Sequence, residues 1–218
     1  MKILDVPQSG SLQGTTSSRN RYGQYQRSRA IPVNPRSSQQ GIVRGRMSVN
    51  AAAWRALTDA QRSGWRDLAS QMSRTDALGQ SYTLNGFGAY VSVNNNLLAA
   101  GDTALSDAPA LVSPSTVATA TITLTAASFS IAYTVTPLAT GQRLIVYLSP
   151  QRAAGRAFEG DYRLVHVSAA AAASPANVLA AYTARFGVPV VGNRIFIAIH
   201  VVKSGFRSGP LLVNQVVA

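Results

Sequence analysis

The hydrophobic period of this chain changes twice from end to end. Residues Gly10 to Arg36 carry Gly, Ser, Thr, Asn, Gln and Arg with few apolar side chains. Such a segment has no core of its own to bury. Its patch from Arg19 to Arg29 alternates aromatic and cationic groups. It predicts an extended arm that orders on a partner, with a short ribbon as the other reading. The Ile31-Pro-Val-Asn-Pro stretch then stiffens the backbone, because each proline holds the preceding residue extended. From Ser37 the spacing turns helical. Ser37 and Gln40 occupy capping-box positions, and Val43, Met47, Ala51 and Trp54 recur at helical spacing to about Leu57. Thr58 and Gln61 form a second capping box, opening a helix to about Met72 with Trp65, Leu68, Ala69 and Met72 as its buried stripe. A third helical pattern follows Asn85, with Phe87, Tyr90, Val91, Asn94, Leu97 and Leu98 on one side. These pieces predict a small helical unit centred on Trp54, Trp65 and Phe87. About sixty residues make only a thin core, so helices lying against a partner are the alternative.

Residues Gly101 to Ser115, with their Ser-Asp, Ala-Pro and Ser-Pro pairs, read as a linker. Beyond them the period becomes two. Thr119–Thr125, Ser128–Thr136, Arg143–Ser149, Tyr162–Ser168, Arg194–Val202 and Leu211–Val217 are strand-like segments bounded by Gly, Pro and Asn turns. Ile122, Leu124, Phe129, Ile131, Tyr133 and Val135 alternate as a half-buried antiparallel sheet requires. The alanine run 169–173 reads as a flexible crossing or a short helix. Short strands at this density predict a β-sandwich. The fold expectation is therefore α+β and multidomain: an extended basic arm over 1–36, a helical unit over 37–100, a linker over 101–117 and an antiparallel sandwich over 118–218.

Charge sharpens this division. The 218 residues carry 20 basic and 8 acidic side chains, for a formal net charge of +12. Twelve of the basic residues but only Asp5, Asp59 and Asp67 of the acids lie at or before Thr75, and no acid lies between Arg19 and Arg46. All but Lys2 and Lys203 of the cations are arginines, whose planar forks bind carboxylates, phosphates and carbonyls with directed hydrogen bonds. Charge so segregated serves association. The contact residues it predicts are Arg19, Arg21, Tyr22, Tyr25, Arg27, Arg29 and Arg36. Protein is the first expected partner. Nucleic acid is the second, since the tyrosines could stack on bases while guanidiniums take phosphates.

The residue inventory argues against catalysis. There is no cysteine, which fits a reducing compartment or a particle assembled inside a cell. The two histidines, His166 and His200, fall within predicted strands, so no metal and no cofactor is expected. Asp59 suits a helix dipole. Glu159 and Asp161 form the one close acidic pair, in the Gly155–Tyr162 stretch, and read as a solvated loop rather than as catalytic carboxylates or a Ca²⁺ site. No nucleophile elbow, phosphate loop or dinucleotide fingerprint is present. The first residues lack a secretory apolar run, and no stretch has the ~20 apolar residues of a membrane span. Synthesis in a cytoplasm, without membrane association, is expected.

Two resemblances add to this reading. The stretches Phe129–Val135, Arg143–Leu148 and Arg194–Val202, followed by Ser204–Gly209, resemble a fibronectin type III or related immunoglobulin-like module. The stretches Arg19–Gln24, Pro32–Pro35, Gln39–Arg46 and Ala53–Arg62, with Trp65, resemble uncharacterised structural proteins of bacteriophages and prophages. That second resemblance implies a virion component made in a bacterial cytoplasm and present in many copies. Its expected role is capsid decoration or cementing against the major capsid protein. A neck or tail position and a DNA-packaging accessory role are the alternatives.

Overall fold

Three short strands open the described part of the chain: β1 (Gly10–Leu12), β2 (Thr15–Asn20) and β3 (Gly23–Ser28). They pair antiparallel in the order β1-β2-β3. The computed structural model describes residues 8–20, 23–31, 33–34, 36–75, 78–134 and 136–218. The described residues up to Ile42 form one compact unit and Val43–Ala218 a second.

The extended arm predicted over 1–36 is therefore a paired ribbon between Gly10 and Ser28. A polar composition rules out a core but not a ladder, since hairpins satisfy backbone donors and acceptors locally. Gln13, at φ 50°, makes the first turn with Gly14. Hydroxyl and amide contacts across the strands, Ser11 to Thr16 at 2.9 Å and Gln26 to Ser17 at 3.2 Å, support the register.

The second unit begins within α1 (Ser38–Ala56) and continues through α2 (Asp59–Gln71), the two-stranded β4 (Ser73–Thr75) and β5 (Ser81–Thr83), and α3 (Gly86–Ala100). Both capping boxes left local signatures. The Gln40 amide donates to Ser37 Oγ at 3.3 Å, and Thr58 and Gln61 bond reciprocally. Asn85 caps α3 through Gly88 at 2.7 Å, and Gly101, at φ 80°, ends it. Trp65, Leu68, Ala69, Tyr90, Val93 and Leu97 are the centre of the helical core. Tyr90 is its hub, 5.1 Å from Trp65 edge-on and 5.4 Å from Trp54, while Phe87 reaches only Trp54.

The predicted linker 101–117 is built into this core instead of spanning away from it. Trp65 Nε1 donates to Ser106 O at 2.7 Å, and the buried Asn94 side chain bonds both the N–H and the C=O of Leu105. Leu105, Ala108 and Val112 pack beside them. A buried indole N–H and a buried amide need partners, and this irregular backbone supplies them.

The remaining elements are β6 (Thr119–Leu124), β7 (Phe129–Thr134), β8 (Gln142–Leu148), β9 (Arg152–Ala153), β10 (Arg163–Val167), β11 (Ala176–Asn177), α4 (Leu179–Phe186), β12 (Asn193–Lys203), β13 (Phe206–Arg207) and β14 (Leu211–Val216). One antiparallel sheet runs β11-β7-β6. The other runs β10-β8-β12, with β13 and β14 against the far edge of β12 and β9 extending the line of β8. Phe129, Ile131 and Tyr133 of the first sheet and Leu144, Val146, Ile195, Ile197 and Ile199 of the second share one core. Tyr182 of α4 is fully buried there, 5.5 Å from Phe129. The alanine run 169–173 is a turn, and the helix comes later, at α4.

The fold is α+β, and Val43–Ala218 is one compact unit in which the helical and β parts, predicted as separate domains, meet where α3 packs on β12 and β13. Phe206 of β13 sits in the helical core. Gly205, at φ 81°, lies so close to α3 that a Cβ there would meet the Val93 carbonyl oxygen at 2.7 Å. Asn96 donates to Gly205 O at 2.8 Å, and Arg143 pairs with Asp102.

Candidate functional site

The ribbon register sorts the predicted contact residues onto two faces. Cross-strand neighbours share a face, so the pairs Ser18–Tyr25 and Thr16–Arg27 lie on one side, and Arg19–Gln24 and Ser17–Gln26 on the other. Arg29 continues the first side, its N–H donating to Gly14 O at 2.8 Å just past the end of β3. Tyr25, Arg27 and Arg29 are thus brought together, with Arg19 behind them. Arg21 and Tyr22 lie outside the described residues. Arg36 stands apart at φ 47°, immediately before α1, its N–H held by Asn34 Oδ1. Tyr25 is half-buried, and Arg19, Arg27, Arg29 and Arg36 are exposed.

Among the described residues, the ion pairs all lie beyond α1 and involve Arg62, Arg143, Arg152, Arg156 and Arg163. None of Arg19, Arg27, Arg29 and Arg36 has a carboxylate partner there. The ribbon strands also contain no buried side chain. A small sheet needs an apolar face against something else for independent stability. This one therefore offers a polar, cationic face with one half-covered tyrosine.

The acidic loop behaves otherwise. Glu159 is not solvated as the sequence suggested: its side chain is 2% exposed. The backbone N–H groups of Asp161 and Gly160 donate to its Oε1 at 2.9 Å, and Arg152 and Arg156 close on its Oε2. The Asp161 amide and the Arg152 guanidinium hold this carboxyl down to about 2. Asp161 pairs with Arg163 at 3.0 Å. The acceptor capacity of Glu159 is consumed by holding the 152–163 loop, which is a structural duty. A short sequence separation between acids could not reveal that, since the arginines reach it only after folding.

Both histidines sit on strands. Burial lowers the pKa of each. His200 Nδ1 lies 2.9 Å from Ser208 O and its ring is edge-on to Tyr147. Among the described residues no three His, Cys, Asp or Glu side chains gather as a metal site would require. The predicted core aromatics lie in the second unit: Trp65 fully buried, Trp54 and Phe87 partly so. Sequence reading missed a groove in that unit bordered by Arg74 and Arg207. These residues are far apart in sequence, and no periodicity links them. No family model, curated protein or solved structure matches the chain.

Proposed function

We propose that this chain is a non-enzymatic bacteriophage virion protein, a capsid decoration or cement subunit that docks on the major capsid protein through its basic N-terminal ribbon. The observation that carries the reading is the state of the ribbon's arginines. Arg27 and Arg29 follow Tyr25 along one face, with no carboxylate partner among the described residues and no core beneath them. Arginine forks with no carboxylate partner among the described residues suit an acidic protein surface, and a polar ribbon gains stability when it docks. The phage resemblance of Arg19–Gln24 and Ala53–Arg62 supplies the setting: a virion protein made in the host cytoplasm and assembled in many copies.

The β part is read as a fibronectin type III-like module. What supports this is strand order: three strands as β11-β7-β6 against β10-β8-β12-β14, with the chain crossing between layers from β7 to β8, β10 to β11 and β11 to β12. The α4 insertion before β12 is a departure from the plainest form of such a module.

Purified particles test the proposal, by quantitative mass spectrometry for copy number and cryo-electron microscopy for position. Hundreds of copies at capsid symmetry positions, ribbon against the shell, are expected. A handful at one vertex would move the chain to the neck or tail. Absence from particles, with duplex-DNA affinity that falls steeply with salt, would replace the reading by a packaging accessory role.

A further inference from the structure

We propose that the second unit carries a separate binding site: the groove between β4, α3 and the β12–β13 hairpin takes an extended acidic peptide, whose carboxylates are held by Arg74 and Arg207. The groove has a volume of about 800 Å³, within the usual range of ligand sites. Its walls are β4, the outer side of α3 at Ser92 and Asn96, the irregular segment 111–116 and the chain from Gly205 to Pro210.

Three observations define the ligand. First, the groove is cationic: among the described residues no carboxylate lines it, and neither arginine has an ion pair. Both guanidiniums are nevertheless oriented. Arg74 Nη2 donates to Ser92 Oγ at 2.6 Å, and Arg207 lies over the Tyr147 ring, 5.9 Å from its centroid. A guanidinium fixed at one end presents its remaining donors in a planar fork that matches a carboxylate. Second, β4 pairs with β5 alone, and it is β4, not β5, that lines the groove. Among the described residues its other edge has no strand partner, and it can add an extended peptide through main-chain hydrogen bonds. Third, the two aromatic rings lining the groove, Phe206 and His200, are both buried. The groove thus offers no open ring on which a base could stack, which favours peptide over nucleic acid. The Gly205 approach to Val93 and the Asn96 to Gly205 bond fix the hairpin on α3, so the site is preformed.

The test is fluorescence anisotropy of a labelled Glu-Val-Glu-Val-Glu-Val peptide on the full chain at physiological salt. Arg74→Gln and Arg207→Gln are each expected to weaken binding about tenfold, while Arg55→Gln, which removes an exposed cation outside the groove, leaves it unchanged. Equal weakening by Arg55→Gln would reduce the effect to general attraction by a basic protein and overturn the site. Full displacement of the peptide by equimolar inorganic phosphate would overturn the peptide assignment. Arg74 is exposed, so Arg74→Gln decides the matter alone should Arg207→Gln not fold, and undiminished binding by Arg74→Gln would sink the proposal. None of these outcomes depends on where the chain sits in a particle.

Discussion

The N-terminal ribbon and the 152–163 loop of the second unit are both arginine-rich and both irregular in hydrophobic pattern, yet they use the same side chain in opposite ways. In the loop, Arg152, Arg156 and Arg163 are spent on Glu159 and Asp161, and the result is an ordered segment fixed to a sheet. In the ribbon, Arg19, Arg27 and Arg29 meet no carboxylate among the described residues and lie over no buried side chain. A guanidinium's role is thus set by whether the fold delivers an acid to it. Segregating the acids away from residues 19–46 leaves the ribbon's cations available to another molecule.

The comparison breaks first if the second unit does not own the stability assigned to it. Trp65 is fully buried, packs edge-on to Tyr90 and ties segment 101–117 to the helices through Ser106. Trp65→Ala is expected to cost about 3–5 kcal/mol, with the loss of the indole bond included, measured by urea unfolding. A loss below ~1 kcal/mol would mean that the helical core is a minor contributor and that stability resides elsewhere.

How much of this was legible in the sequence follows from the range of each interaction. Capping boxes and the period-two runs involve neighbours in the chain, so α2, α3 and β6, β7, β8, β10, β12 and β14 could be read with boundaries off by a residue or two. The ribbon was harder. Its Thr, Ser and Gln alternation carries no apolar signal, and only backbone pairing distinguishes a ladder from an extended arm. Helix α4 was hidden because it is only eight residues long, with Tyr182 fully buried and Leu179 and Phe186 part-buried beside it. The linker was misread for a physical reason: Ser106 and Leu105 are recruited by Trp65 and Asn94, 41 and 11 residues away. Of the candidate contact residues, the charges were visible at once, but their faces were not. Arg19 parts from Arg27 only once the register is known.

A smaller effect, confined to acid, sharpens the loop side of the comparison. The Glu159 carboxyl is held at about 2 against an ordinary 4.5. A carboxyl with a lowered folded value contributes stability that is present above about 4.5 and is lost as the pH falls toward 2. The histidines act in the same direction at higher pH: burial lowers both, so protonating them below their ordinary 6.5 also destabilises the fold. Glu159→Gln should therefore flatten the pH dependence of the melting temperature between about 4.5 and 2 while leaving the histidine limb below 6.5 intact. An unchanged low-pH limb in the variant would show that the clamp on Glu159 is not what the loop relies on.

The smallest expected effect on stability is the one that separates the two regions most sharply. Arg27→Gln/Arg29→Gln removes two exposed cations that have no carboxylate partner among the described residues. It should change the unfolding free energy by no more than about 0.5 kcal/mol, because no buried group is left unpaired. Arg152→Gln removes a cation from a carboxylate that is almost wholly enclosed, and by the same measurement it should be the more damaging although it is a single substitution. Association should rank them in reverse. Binding of the chain to particles lacking it should fall with Arg27→Gln/Arg29→Gln and weaken with added salt, while folded Arg152→Gln binds normally. If the two variants affected stability alike, the ribbon's arginines would have internal partners after all. If neither affected particle binding, the ribbon would be a passive surface, and the free guanidiniums would have to be explained by solvation alone.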